Sequence, residues 1–122
     1  MKPRVLAIDD SRTIRALLGV CLENAGFEVT SATDGVHGLD LFADSAADVV
    51  ITDINMPRLD GFGVIEAIRG GEVNRAVPIL VLTTESAPEL KARAREAGAT
   101  GWIVKPFEDD TLVGALRRVT AM

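Results

Sequence analysis

A chain of 122 residues, 48% hydrophobic and 25% charged, is sized for one globular domain around a single core and is too apolar for intrinsic disorder. Thirteen Lys and Arg against eighteen Asp and Glu leave a formal charge of −5, so no broad cationic surface exists to neutralise nucleic-acid phosphates or anionic lipid. The single cysteine, Cys21, excludes an internal disulfide, the apolar run after Met1-Lys2-Pro3-Arg4 is too short for a secretion signal, and no stretch approaches a membrane span, so a cytoplasmic setting is expected.

The predicted elements alternate along the chain. Val5, Leu6, Ala7 and Ile8 are apolar on consecutive positions, as in a strand covered on both faces. Ile14, Leu17, Leu18, Cys21, Leu22 and Ala25 then recur at helical spacing, with Gly26 where a left-handed cap belongs. Phe27, Val29 and Ser31 alternate with Glu28, Thr30 and Ala32, a half-exposed pattern that predicts an edge strand. Val36, Leu39 and Phe42 mark a second helix, whose His37 is expected to be solvated and away from any site. Val49, Val50 and Ile51 predict an inner strand, and Phe62, Ile65 and Ile68 a third helix ahead of Gly70-Gly71. A further inner strand covers Ile79 to Leu82. The fourth helix, from about Ala87 to Ala97, has an inward stripe of only Leu90, Ala94 and Ala97, so it buries little apolar area and is expected to be the most easily displaced. Ile103-Val104 reads as a short inner strand. Leu112, Ala115, Leu116 and Val119 mark the last helix, opened by Glu108, Asp109 and Asp110 and closed by Arg117-Arg118, the charge order the helix dipole favours. Five such units predict an α/β fold of (βα)5 type, a three-layer sandwich with a parallel five-stranded sheet, and are too few for an eight-unit barrel.

In open sheets of this class ligands bind beyond the carboxyl ends of the strands. Here those ends carry Asp9-Asp10, Asp53, Thr83-Thr84 and Lys105-Pro106. Taken singly, Asp9-Asp10 could be a helix cap beside a solvated acid, and Asp53 a turn residue. Three carboxylates in one crevice repel one another unless a cation lies between them, and Mg²⁺, with its oxygen ligands and retained waters, suits the set. One His and one Cys make no zinc constellation. A carboxylate beside Mg²⁺ can attack phosphorus, with Asp53 placed as nucleophile and Lys105 and Thr83 placed to meet the phosphoryl oxygens. An acyl phosphate of about −2 and two further acids, set against Mg²⁺ and Lys105, leave the site near −1, which backbone N–H groups and water tolerate.

The motifs Asp9-Asp10-Ser11, Asp53-Ile54-Asn55-Met56-Pro57-Arg58-Leu59-Asp60-Gly61, Thr83-Thr84 and Lys105-Pro106-Phe107 resemble those of response-regulator receiver domains of two-component signalling, over residues 1–122 as one domain. The resemblance implies the flavodoxin-like strand order 2-1-3-4-5. It implies that Asp53 is the phosphoacceptor, that Asp9, Asp10, Asp53 and the backbone carbonyl of Asn55 hold Mg²⁺, that Thr83 and Lys105 engage the phosphoryl group, and that the Lys105-Pro106 bond is cis. Asn55 and Glu85 occupy the positions that tune hydrolysis in the family, and Trp102 stands where the switch aromatic is usually Tyr or Phe. The segment Asp10-Ser11-Arg12-Thr13-Ile14-Arg15 is similar to stand-alone chemotaxis regulators of the CheY type. That likeness implies a monomer that receives phosphoryl groups from a CheA-like histidine kinase, binds the flagellar motor switch, and is served by a phosphatase, with neither nucleic acid nor membrane as a partner. The alternative is a receiver cut from a larger regulator, or a phosphate sink with no motor target. The signalling face is expected on helix four, strand five and helix five, with Lys91, Arg93, Arg95 and Trp102.

Such a protein catalyses its own aspartyl phosphorylation and dephosphorylation and is not a turnover enzyme. A haloacid-dehalogenase-type phosphatase would need a second Asp where Asn55 stands, and a flavodoxin-type cofactor binder would need a Ser/Thr/Gly-rich cradle in place of Ser11-Arg12-Thr13-Ile14. A degenerate receiver that only binds a partner is disfavoured, because every required acid, Thr83 and Lys105 are present.

Overall fold

Two sets of alternating side chains, one on each face of a central sheet, organise the computed structural model, which describes residues 2–120. Met1, Ala121 and Met122 of the expected span 1–122 lie outside the described residues. The elements run β1 (Arg4–Ile8), α1 (Arg12–Asn24), β2 (Glu28–Ala32), α2 (Gly35–Ser45), β3 (Val49–Thr52), α3 (Gly61–Gly70), β4 (Ile79–Thr83), α4 (Pro88–Ala97), β5 (Gly101–Val104) and α5 (Asp109–Thr120). All neighbouring strands pair in parallel, in the order β2-β1-β3-β4-β5. The expected three-layer (βα)5 sandwich with order 2-1-3-4-5 is therefore the fold observed.

The period of two along each strand sorts the core. Leu6, Ile8, Val50, Ile79 and Val81 face α2, α3 and α4, where Phe42, Phe62, Ile65, Ile68 and Ala94 meet them. Val5, Ala7, Val49, Ile51, Leu80 and Leu82 face α1 and α5, against Leu18, Cys21, Leu22, Leu112, Ala115 and Leu116. A leucine-sized side chain fully buried in this way contributes roughly 1.5–3 kcal/mol, which is why the three inner strands read as unbroken apolar runs.

β2 is an edge strand, as its alternating pattern predicts. β5 corrects its expectation as an inner strand: it forms the opposite edge, its residues are half-buried to exposed, and it is longer than Ile103-Val104, starting at Gly101. A two-residue apolar run cannot distinguish a covered strand from an edge.

Helix ends follow local chemistry. Ser11, Asp34 and Asp60 cap α1, α2 and α3 by accepting the N–H groups of Ile14, His37 and Gly63. Gly26 follows α1 at φ 95°, the left-handed position expected of it. α4 starts from Ala87 with no side-chain cap and buries only Ala94 fully, so it is the most weakly anchored helix, as its sparse stripe predicts.

In the α1–α5 seam, burial pushes the Cys21 thiol up to about 11, reinforced by the charge and hydrogen bond of Asp109 and by the charge of Asp110. A raised value favours the protonated folded state, so this contribution is complete below about pH 9 and is lost as pH rises through about 11. Alkylation of Cys21 in the folded protein at pH 8 is expected to be much slower than in denaturant and to accelerate only toward pH 11. Equal rates in the two states would contradict this account of the seam.

Candidate functional site

The carboxyl ends of β1, β3 and β5 converge on one edge of the sheet because the parallel pairing is in register: Ile8 lies opposite Thr52, and Thr83 opposite Val104. The residues following these ends, Asp9, Asp53 and Lys105, are thereby brought together from positions 96 and 52 residues apart in the chain. Backbone bonds extend the ladder just past the strands, from Asp53 N–H to the Ile8 carbonyl at 3.0 Å and from Lys105 N–H to the Thr83 carbonyl at 2.7 Å.

Lys105 Nζ lies 2.7 Å from Asp9 Oδ2 and 2.7 Å from Asp53 Oδ2. Their side chains are 9%, 2% and 11% exposed, respectively. Burial by itself draws the Lys105 ammonium down, but the hydrogen bonds and charges of Asp53 and Asp9 outweigh it and hold the group above its ordinary 10.5. The ion pairs are therefore complete at neutral pH and are lost only as pH rises above that ordinary value through the raised one.

The second oxygens are also held. Asp53 Oδ1 accepts the Ile54 N–H at 2.6 Å, and Asp9 Oδ1 accepts the Ser11 N–H at 2.9 Å. Thr52 donates its hydroxyl to the Asp53 carbonyl at 2.9 Å. Gly61 is required behind Asp53, since a Cβ there would lie 2.2 Å from the Asp53 carbonyl oxygen. Asp10 is exposed at the rim, and Asp9, Asp10 and Asp53 each offer a carboxylate oxygen within 4.8 Å of the others. This all-oxygen set fits a hard divalent cation such as Mg²⁺ and does not fit the nitrogen and sulfur preferences of zinc.

The remaining predicted residues border this centre. Thr83 is fully buried, and its Oγ1 accepts the Glu85 N–H at 3.3 Å. Asn55 Nδ2 donates to Glu85 Oε1 at 3.0 Å, joining the loops that follow β3 and β4. Half-buried Trp102 donates its indole N–H to the Glu85 carbonyl at 3.0 Å and packs with Leu90, Ala94 and Ala97 on the α4 side of the sheet. The Lys105-Pro106 bond is cis, as the resemblance implies.

Two expectations change. Arg93 does not line the α4–β5 cleft: its guanidinium lies 3.9 Å over the Phe62 ring and faces α3, whereas Lys91, Arg95 and Trp102 line a cavity of about 240 Å³. His37 is half-buried rather than solvated, with Nδ1 accepting the Thr33 N–H at 3.1 Å. Sequence reading also missed a bidentate pair, Arg58 on Asp34, with Nε–Oδ2 and Nη2–Oδ1 both 3.0 Å. An Asp before Gly35 and an Arg after Met56-Pro57 are ordinary in isolation, and no local spacing links them.

Comparison with known proteins agrees with this geometry. The response regulator receiver domain family matches residues 5–117. PilG of Pseudomonas aeruginosa is 33% identical over 93% of this chain and 84% of its own length. The structure of the chemotaxis protein CheY4 of Vibrio cholerae is 44% identical with a TM-score of 0.93, covering 98% of this chain and 99% of that one. The receiver domain of the sensor histidine kinase PA1611 of Pseudomonas aeruginosa PAO1, described with magnesium coordinated in the active-site cleft, is 25% identical with a TM-score of 0.92 over the full length of both chains. Several curated transcriptional regulators also match, and the chain spans 45–48% of their length. Among the described residues no helix is long and apolar enough to cross a membrane.

Replacing Lys105 by Ala leaves Asp9 and Asp53 buried with no counter-ion between them. The variant is expected to lose about 3 kcal/mol in urea unfolding at pH 7 without divalent metal. An unchanged midpoint at neutral pH would contradict the pairing.

Proposed function

The chain belongs to the response-regulator receiver family, and from that premise we propose that it is a phosphorylation-activated switch that accepts a phosphoryl group on Asp53 from a histidine kinase in a Mg²⁺-dependent reaction. Receiver domains are phosphoryl-accepting signalling domains that work with histidine kinases and downstream targets, and they bind Mg²⁺ at an acidic Asp cluster. The observation that carries the reading is the convergence of Asp9, Asp10 and Asp53 on one edge with the Lys105 ammonium between two of them.

In the proposed reaction an Asp53 carboxylate oxygen attacks phosphorus. A P–O bond forms as the donor's P–N bond breaks, and the leaving imidazole nitrogen takes up a proton. Asp9, Asp10, Asp53 and the Asn55 backbone carbonyl would hold Mg²⁺, which when bound offsets the negative charge of the phosphoryl oxygens and the attacking carboxylate. The Asp53 carboxylate is oriented for attack because Ile54 N–H and Lys105 Nζ each hold one of its oxygens. Lys105 can follow the charge as it moves from carboxylate to phosphoryl oxygen, and the Thr83 hydroxyl donates to a second oxygen. The reverse chemistry is hydrolysis: water attacks phosphorus, the acyl P–O bond breaks, and the products are the Asp53 carboxylate and inorganic phosphate. Asn55 and Glu85, joined by a hydrogen bond and able to orient water, are the side chains proposed to set the lifetime of the phosphoryl group.

The signalling face is α4, β5 and α5. Drawing Thr83 toward the phosphoryl group pulls on Glu85, whose carbonyl holds the Trp102 indole, and so reaches the weakly capped α4. The likeness to CheY4 supports a chemotaxis regulator with a CheA-like kinase, the flagellar motor switch as target, a phosphatase as a further partner, and a cytoplasmic monomer as the working form. The chain's partial coverage of transcriptional regulators supports a second reading, the receiver portion of a larger regulator.

Incubation with acetyl phosphate and Mg²⁺ is expected to give one labile phosphoryl adduct by intact mass, absent without metal and absent in Asp53→Asn. The reading fails if Asp53→Asn carries the same adduct. In the same assay Asn55→Ala and Glu85→Ala are each expected to change the rate of adduct loss several-fold, and unchanged rates would return both residues to ordinary loop positions.

A further inference from the structure

The loop between Asp53 and α3 holds Arg58 at φ 68°, a left-handed conformation that a side chain disfavours and that glycine adopts freely. The strained residue is also the one that reaches away from its loop. Its guanidinium forks onto both oxygens of Asp34, at 3.0 Å each. Asp34 is itself fixed, because its Oδ1 accepts the His37 N–H at 2.9 Å as the cap of α2. That backbone bond and the Arg58 guanidinium together hold the carboxyl below its ordinary value, with burial opposing them. The same loop rests on the first turn of α2 so closely that a Cβ on Gly35 would lie 2.3 Å from the Leu59 carbonyl oxygen. At its other end the Asn55 side chain is tied to Glu85. The segment that follows Asp53 is thus strung between α2 on one side and the β4–α4 loop on the other, with Asn55 at one tie and Arg58 at the other.

Stability alone does not account for this arrangement. The Arg58 side chain is 58% exposed, where an ion pair contributes little, while the left-handed backbone is a standing cost that glycine would remove. What the pair does is fix position, since a bidentate fork on a capped carboxylate leaves the loop few alternatives. We propose that Arg58 is a positioning residue for the acidic site: through Asp34 it fixes the loop that presents the Asn55 backbone carbonyl to a divalent cation. This inference rests on the reading of Asp9, Asp10, Asp53 and Asn55 as a divalent-cation site.

The test is an NMR titration of the full chain with MgCl₂, followed at backbone amides, with thermal unfolding measured in parallel without metal. Arg58→Gly relieves the backbone and removes the fork, while Asp34→Asn keeps an oxygen for the helix cap and removes the charge. Each is expected to weaken Mg²⁺ binding by roughly tenfold, as loss of a supporting residue around a metal ligand does. The double variant is expected to be no weaker than either single one, because both remove the same contact. Arg58→Lys is expected to recover part of the affinity, and Arg58→Gly is expected to melt no lower than the native chain. Native affinity in Arg58→Gly overturns the inference, as does an affinity loss that merely follows a fall in melting temperature across the variants. Absence of Mg²⁺ binding by the native chain removes the cation-site reading itself and the inference with it.

Discussion

The Lys105 ammonium between Asp9 and Asp53 is the interaction on which the rest of the architecture depends. Two carboxylates this buried cannot face one another without a cation, and the chain supplies one from the end of its last strand. Three separate strand ends must therefore be in register before the centre is electrostatically tolerable, so sheet pairing and site formation are one event. The cation is also mobile in principle, since it sits on four methylenes, whereas the acids are fixed by backbone N–H groups of Ile54 and Ser11. A site built this way keeps its anions in place and lets its positive charge move with whatever negative charge arrives. It also sets a competition, because a divalent cation entering among Asp9, Asp10 and Asp53 shares two of its acids with Lys105.

The proposed switch depends on how little energy separates its two states. Moving a population from 1:99 to 99:1 takes about 5.5 kcal/mol, and a charge-assisted hydrogen bond is worth roughly 1.5–3 kcal/mol, so a new bond from Thr83 supplies a sizeable part of it while Lys105 exchanges its bonds to Asp9 and Asp53 for bonds to the phosphoryl group. α4 suits the moving part: it has no side-chain cap and a single fully buried residue, Ala94. It is nevertheless tethered on its far side, where Arg93 lies over Phe62 and Arg69 donates to the Gly98 carbonyl at 3.0 Å. Those contacts leave the α3-facing side pinned, and the Trp102 side is where displacement costs least.

The parts of the fold legible in the sequence are those decided by local pattern. Consecutive apolar residues marked β1, β3 and β4, alternation marked β2 as an edge, and the poor stripe of α4 announced its weak anchoring. The convergence of Asp9, Asp10, Asp53 and Lys105 was legible because the strand-end rule and the receiver motifs pointed to the same residues. The strand order came from the resemblance alone. What escaped was non-local. The two residues Ile103-Val104 could not reveal that β5 is an edge, and the direction of Arg93 depended on where Phe62 lies on the neighbouring helix. The Arg58–Asp34 pair joins residues 24 apart with no motif between them, and nothing short of the fold brings it into view.

The measurement that bears most directly on the central claim is a crystal structure with Mg²⁺ and beryllium fluoride, a mimic of the phosphoryl group, bound together. The expected result is the mimic on an Asp53 oxygen, Lys105 Nζ moved off the Asp9–Asp53 bridge onto a fluoride, and the Thr83 hydroxyl donating to another. Lys105 still bridging Asp9 and Asp53, with the mimic held elsewhere, would contradict the account.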